Sequence, residues 1–225
     1  MLFQTTCNKM GALTLSAFLS LGFAIMAPAT AADDADGADT QADAQPERSY
    51  GYSVHEYRDP KVTLVDIDGQ AVDFVAALDA PETVVVGFIF TTCQGVCPVI
   101  TATMAAATRQ LDKDGTDYKV YLVSLDPEYD TPSRLRSYGE RFRTSDRISF
   151  LTGDTSAVFE VLRSFNAIYL GGRKMNHQPV TLIRAKGDDS WVRLDGLVDA
   201  RSLAAEVRMV RDGTESSPAL SALAR

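Results

Sequence analysis

Lysine and arginine are nowhere gathered into a basic patch: 22 basic residues face 30 acidic ones, for a formal net charge of −8. A surface built to neutralise nucleic-acid phosphates is thereby excluded. No internal repeat is present, so repeat architectures drop out. Residues 32–50 almost entirely lack large apolar side chains; their six acids face only Arg48. Such a segment cannot bury enough surface to fold and reads as a solvated acidic linker. Residues 1–31 carry no charge except Lys9. An apolar stretch from about Gly11 to Ala27 follows that lysine, and Ala29-Thr30-Ala31 supplies a small-x-small cleavage site, the layout of a secretory signal peptide. If retained, residues 10–31 are long enough to anchor the chain in a bilayer; the Ser, Thr and Gly content and the Ala-Thr-Ala site favour cleavage. Either way the protein is expected in the periplasm or otherwise exported. The division is then a signal or anchor at 1–31, a linker at 32–50, one folded domain at 51–211 and a flexible tail at 212–225.

Cysteine is scarce as well. Cys7 lies before the apolar run, so it is not placed like a lipoprotein cysteine, and it leaves with a cleaved signal. Cys93 and Cys97 remain, four positions apart. A disulfide closing so short a loop removes little unfolded-state entropy and is a weak staple, which directs attention to chemistry. The run Val84-Val85-Val86-Gly87-Phe88-Ile89-Phe90 predicts a buried strand. Pro98 fits the first position of a helix, and Ile100, Met104, Ala107 and Leu111 repeat at helical spacing. Both thiols therefore fall between the end of a strand and the start of a helix, where free N–H groups and the helix dipole favour thiolate. Closed into one turn, their Cα atoms lie roughly 5–7 Å apart, within disulfide reach. The pair can form a disulfide or clamp one soft ion.

The rest of the domain is read in order. Lys61–Asp66 alternates apolar and polar residues, and Ile67-Asp68-Gly69-Gln70 turns it back towards Phe74 as a hairpin. Tyr118–Leu125 is a second apolar strand, parallel to the first because a helix crosses over between them. Thr131 and Pro132 cap and open a helix bearing Leu135, Tyr138 and Phe142. Ile148–Leu151 is a short strand or an extended connection. Gly153-Asp154 opens a helix with Val158, Val161, Leu162 and Phe165 inward, and Asn166–Asn176 is a loop containing Gly171-Gly172. Val180–Ala185 and Trp191–Asp195 form a hairpin, and Asp199 caps a last helix. The expected fold is α/β and thioredoxin-like: a central mixed sheet of four or five strands, flanking helices and an added N-terminal β-hairpin.

Histidine occurs only at His55 and His177. His55 sits among Tyr52, Glu56, Tyr57 and Arg58 and reads as a solvated surface residue. His177 stands two residues before Pro179, which opens an apolar strand. In a thioredoxin-like fold a cis-proline at that place faces the cysteine pair, so Gln178–Pro179 is expected to be cis and His177 to project towards Cys93 and Cys97. Two thiolates and one imidazole form a soft three-coordinate set suited to copper or zinc; closed structural zinc sites take four protein ligands, so an open set of three favours copper that is handed on. Met175 offers an extra soft ligand to this set, against the more ordinary reading of a packing or exposed methionine in a loop.

Three motifs carry a resemblance. Thr92-Cys93-Gln94-Gly95-Val96-Cys97-Pro98 fits CxxxCP, Asp126-Pro127-Glu128-Tyr129-Asp130-Thr131-Pro132 fits DPxxDTP, and His177 stands at the distal position. In that order and at those separations they resemble the Sco/SenC family of copper-binding, thioredoxin-like proteins, over about residues 55–211. The resemblance implies a metallochaperone holding a copper ion, Cu(I) or Cu(II), through Cys93, Cys97 and His177. Its client would be a copper enzyme, such as an oxidase subunit with a copper A site, served together with a copper donor and a thiol reductant. Asn176 replaces an aspartate common before the family's histidine, and Pro179 is a further departure; other branches serve clients such as nitrous oxide reductase. Asp126 and Asp130 read as turn and cap residues. A peroxiredoxin would need proline and threonine where Val86 and Phe90 stand, and the single tryptophan, Trp191, lies in a late strand, away from a glutathione-peroxidase pattern. The rival that stays open is a thiol–disulfide oxidoreductase acting on client cysteines without carrying metal, with Cys93 and Cys97 as its redox pair. A plain interaction module would need neither thiol.

Overall fold

A computed structural model describes residues 48–168 and 178–213 of the chain. The elements run β1 (Gly51–Glu56), β2 (Thr63–Val65), β3 (Ala71–Asp73), α1 (Phe74–Asp79), β4 (Thr83–Ile89), α2 (Val96–Leu111), a 3-10 turn at Asp112–Asp114, β5 (Tyr118–Ser124), α3 (Pro132–Arg141), β6 (Ile148–Leu151), α4 (Thr155–Ser164), β7 (Val180–Ala185), β8 (Ser190–Asp195) and α5 (Ala200–Arg211). Six strands form one sheet in the order β1-β8-β7-β4-β5-β6, and β2 and β3 form the separate hairpin. The fold is the expected thioredoxin-like α/β arrangement with a mixed sheet.

β4 lies at the centre of the sheet, and every residue from Thr83 to Ile89 is buried. It pairs in parallel with β5 and antiparallel with β7. Strands buried on both faces read as continuous β-branched runs, which accounts for the composition of this stretch. On one face a Cβ at Gly87 would lie 3.1 Å from Leu122 and 3.4 Å from Met104 of α2, so glycine lets that helix seat closely; α5 packs against α2 on this side. On the other face Phe74 of α1 meets Tyr121 edge-on at 6.2 Å, and Phe165 after α4 meets Trp191 at 4.9 Å. Arg184, itself buried, holds Asp59 at 2.7 Å and Asp79 at 2.6 Å and stacks on Trp191 at 4.6 Å. It thereby ties the segment before the hairpin, and the end of α1, to that face.

Several expectations are revised. The sheet has six strands, because β1 adds an outer strand antiparallel to β8; its only large apolar residues are Tyr52 and Val54, both partly buried, so the strand is short in signal. α1 follows the hairpin directly, capped by Asp73, whose side chain accepts from the Ala76 N–H at 3.1 Å. Helix α2 starts at Val96 with Gly95 as its N-cap residue, so Pro98 is not its first residue and Cys97 lies within the first turn. No described peptide bond is cis. Gln178–Pro179 is therefore trans, the ordinary state of an X–Pro bond, and the thioredoxin analogy does not extend to this bond. Among the described residues no helix is long and apolar enough to cross a membrane.

Gly139 offers a test of the packing between α3 and β6. A Cβ there would fall 2.7 Å from the Phe150 ring. Gly139→Ala is expected to destabilise the domain by about 1–3 kcal/mol through overpacking, against the usual gain from placing alanine in a helix. Urea unfolding of the two proteins measures the difference, and an unchanged midpoint would show that Phe150 can move aside.

Candidate thiol and metal site

The site is built where β4 ends and α2 begins. After Ile89 the chain turns sharply: the Cys93 N–H donates to the Phe90 carbonyl at 3.2 Å. Gly95, with no side-chain cap, lets α2 start at Val96. The first N–H groups of a helix have no partner within it, and here they find the sulfur of Cys93. Burial would raise that thiol's pKa. Hydrogen bonds from the Cys97 backbone and side chain, and from the Gly95 and Val96 backbone, outweigh it and hold the pKa below the ordinary thiol value. Cys97 goes the other way. Burial comes first, followed by its hydrogen bond to Cys93 and the charges of Cys93 and Asp130, and these push it well above the ordinary value despite a hydrogen bond from the Phe90 backbone. Both thiols are free and buried, and they lie within hydrogen-bonding reach of each other.

The two sulfurs thus divide their roles. Cys93 is the thiolate-forming member and Cys97 the protonated reserve, the arrangement an attacking and a resolving thiol require. A small electrophile such as iodoacetamide should modify Cys93 first, and at a pH below the ordinary thiol range, because its thiolate persists as pH falls towards its lowered pKa. Cys97 in the Cys93→Ser protein should react only at higher pH. Mass-spectrometric rates against pH test this, and equal profiles for the two cysteines would contradict the assignment.

Asp130, expected as a turn or cap residue, does more. It is fully buried behind the thiol loop. Its carboxylate accepts from the Thr91 N–H at 3.1 Å, from the Thr91 hydroxyl, and from the Ser124 hydroxyl at 2.6 Å. The helix cap itself is Thr131, accepting from the Arg134 N–H. Asp126 holds the turn through its carbonyl, which accepts from the N–H groups of Tyr129 and Asp130. The Asp126–Pro132 motif thus braces the residue two positions before Cys93. From α3, the Tyr138 hydroxyl lies 3.1 Å from Thr101 Oγ1, which in turn donates to the Cys97 carbonyl at 3.0 Å. The helical spacing of Tyr138 marks it only as a buried face residue. Nothing in that spacing signals this second link to the cysteine helix.

His55 lies on β1, stacked on Tyr57 at 5.4 Å with Nε2 2.9 Å from Ser53 Oγ. β8 and β7 separate that strand from β4, which agrees with a surface role. His177 and Met175 lie outside the described residues. Among those described, no group of three His, Cys, Asp or Glu side chains is placed to hold a metal ion. Two soft sulfurs at a helix N-terminus, one with its pKa lowered by hydrogen bonds, are nonetheless a fitting donor pair for a soft cation.

Comparison with known proteins now bears on this geometry. A family model described as SCO1/SenC matches residues 51–210. The SCO1 protein homolog of Bacillus subtilis is 37% identical over 84 residues, covering 36% of this chain and 44% of that protein. The human mitochondrial SCO1 homolog is 33% identical over 89 residues, covering 39% of this chain and 29% of the relative. The chain therefore spans under half the length of the curated relatives it matches. Among solved structures, BsSco, a Sco-family cytochrome c oxidase assembly protein in which a disulfide switch has been identified, superposes with a TM-score of 0.60 at 25% identity, covering 71% of this chain and 96% of that one. Arabidopsis thaliana ScoI with copper bound gives a TM-score of 0.54 at 24% identity, over 67% of this chain and 96% of that one, and shares the fold. With its family model spanning nearly the whole described domain and its thiols at the head of α2, the chain belongs to the SCO1/SenC family.

Proposed function

We infer that this protein is a copper metallochaperone whose cargo ion is held by Cys93, Cys97 and His177 and passed to a copper enzyme such as an oxidase subunit carrying a copper A site. The observation that carries the reading is the pairing of two buried thiols, in mutual hydrogen-bonding reach, at the N-terminus of α2. Copper would supply a soft Lewis-acid centre; the chain's own work is to present sulfur in a water-poor corner and lower the pKa of one thiol. Backbone N–H groups favour the anionic sulfur before any ion arrives. Asp130 and Tyr138 fix the two sides of the loop. His177 would close the set from a segment distant in sequence, which makes it the ligand most readily released on transfer. Copper-bound relatives sharing the fold support this reading. We read residues 1–31 as an export signal or anchor, 32–50 as a linker and 212–225 as a tail, so that the domain works in the periplasm or an equivalent compartment.

The opposite shifts of the two thiols, Cys93 lowered and Cys97 raised, also favour a second role, reduction of a client's disulfide, with these two cysteines as the redox pair. A single preparation separates the two. The exported protein, reduced and anaerobic, is assayed for Cu(I) stoichiometry against a chelator and for reduction of a disulfide peptide patterned on a copper A loop. Copper binding at one ion per domain supports the chaperone. Peptide reduction without copper binding supports the oxidoreductase.

A further inference from the structure

Beside the thiol loop the surface opens into a groove of about 450 Å³ between Thr91-Thr92 and helix α3. Its lining contains Tyr129, Arg134, Tyr138 and Arg141, with hydroxyls of Ser133 and Ser137 between them, and no carboxylate. In a chain of net charge −8, two guanidinium groups and no acid on one wall run against the general character of the molecule. Both guanidiniums sit over aromatic rings. Arg134 stacks on the half-exposed Tyr129 ring at 3.8 Å and donates to the Tyr129 carbonyl at 2.6 Å. Arg141 lies 4.8 Å over the Tyr138 ring and has no hydrogen-bond or ion-pair partner among the described residues. Planar guanidinium groups fixed in this way present forked donors suited to carboxylates.

The groove is coupled to the sulfurs at both ends. Thr91 and Thr92 run directly into Cys93, and Tyr138 reaches the Cys97 carbonyl through Thr101. We propose that this groove docks an extended acidic segment of the client protein, its Asp or Glu side chains flanking the cysteines that are to receive copper. Arg134 and Arg141 take the carboxylates, the serine and threonine hydroxyls take the client backbone, and the client's thiols are brought to the Cys93–Cys97 turn. The proposal rests on the reading of the protein as a copper donor to a cysteine-bearing client, and it adds what distinguishes that client. The same charge pattern discriminates against basic segments, since a lysine in the groove would meet two like charges.

The test uses the mature chain, reduced and metal-free, and three fluorescent peptides that share a Cys-x-x-x-Cys core with alkylated cysteines, so that neither exchange nor metal contributes. One peptide carries aspartates on both sides of the core, another asparagines; a third, with lysines there, serves for the charge-reversed variant. At low salt the acidic peptide should bind about tenfold more tightly by anisotropy, on the basis of roughly two- to fivefold from each exposed ion pair. The preference should vanish in R134Q/R141Q and turn towards a lysine-flanked peptide in R134E/R141E. Copper stoichiometry of R134Q/R141Q should match the wild type. Equal binding of the aspartate and asparagine peptides, or a preference that survives in R134Q/R141Q, overturns the proposal, as does loss of copper binding in that variant, which would make the arginines supports of the thiol loop. A wild type that prefers the acidic peptide yet binds no copper would refute the chaperone reading and leave the docking surface standing.

Discussion

Cys93→Ser and Cys97→Ser should each abolish tight Cu(I) binding, whereas His177→Ala should weaken it by about 10–100-fold, a size typical of losing one partner of a metal site. The asymmetry follows from where the donors reside. Both sulfurs come from one turn, pinned by the Cys93–Phe90 hydrogen bond and the start of α2, so their separation is largely set before any ion arrives. A hydroxyl is a poor ligand for a soft cation, and with one sulfur gone the remaining pair cannot hold the ion against a chelator. The histidine belongs to a segment outside that rigid turn. Its loss should alter the Cu(II) spectrum more than the retention of Cu(I), since imidazole suits the harder oxidation state better than thiolate does. Met175→Ala should change little. Competition with a chelator of known affinity, in both oxidation states, reads the whole series. Wild-type affinity in the double cysteine variant would move the site elsewhere.

The second large effect is expected at Asp130, which touches no ligand. Removing its carboxylate by Asp130→Ala leaves the Thr91 N–H, the Thr91 hydroxyl and the Ser124 hydroxyl without their acceptor inside the fold. Hydrogen bonds to a charged acceptor contribute about 1.5–3 kcal/mol, and orphaned buried donors cost about 1–3 kcal/mol. A loss of about 3 kcal/mol is therefore expected, lowering Tm by about 6–12 °C for a domain of this size. Because Thr91 lies two residues before Cys93, copper affinity should fall as well, without any ligand having been removed. Asp130→Asn keeps the volume but turns one acceptor into a donor, and should recover only part of the stability. Thermal melts followed by circular dichroism, run beside the chelator assay, separate the two readouts. An unchanged melt in Asp130→Ala would mean that water replaces the carboxylate at no cost.

What can be read from the residues depends on how strongly each pattern is forced. β4 and β5 announce themselves because both faces are buried and polar residues are nearly excluded. α3 and α5 are legible from Thr131 and Asp199, whose side chains cap them as their sequence positions suggest. β1 is not, since this edge strand carries only Tyr52 and Val54 as large apolar residues, neither fully buried, and its partner β8 lies far along the chain. The start of α2 falls earlier than its proline suggests for a chemical reason: proline marks the first turn of a helix, but Gly95 permits an earlier start without a side-chain cap. At the site, the two cysteines are legible from spacing and position. The roles of Asp130 and Tyr138 are not, because each depends on contacts with Thr91, Ser124 and Thr101, which only the folded chain brings together.

The sheet order also sets a timetable for folding. β4 finds β5 soon after both are made, but its other neighbour is β7, with Val86 opposite Leu182, and the outer strand β1 waits for β8, with Tyr52 opposite Leu194. Pairings between such distant positions form late and slowly. In a chain crossing a membrane from its N-terminus, the Cys93–Cys97 turn emerges well before the strands that complete its sheet. With export as we propose it, the thiols meet the oxidants of that compartment while the burial that later shields them is unfinished. Each newly arrived molecule would then begin its working life with the pair as a disulfide, and its first encounter would be with a reductant.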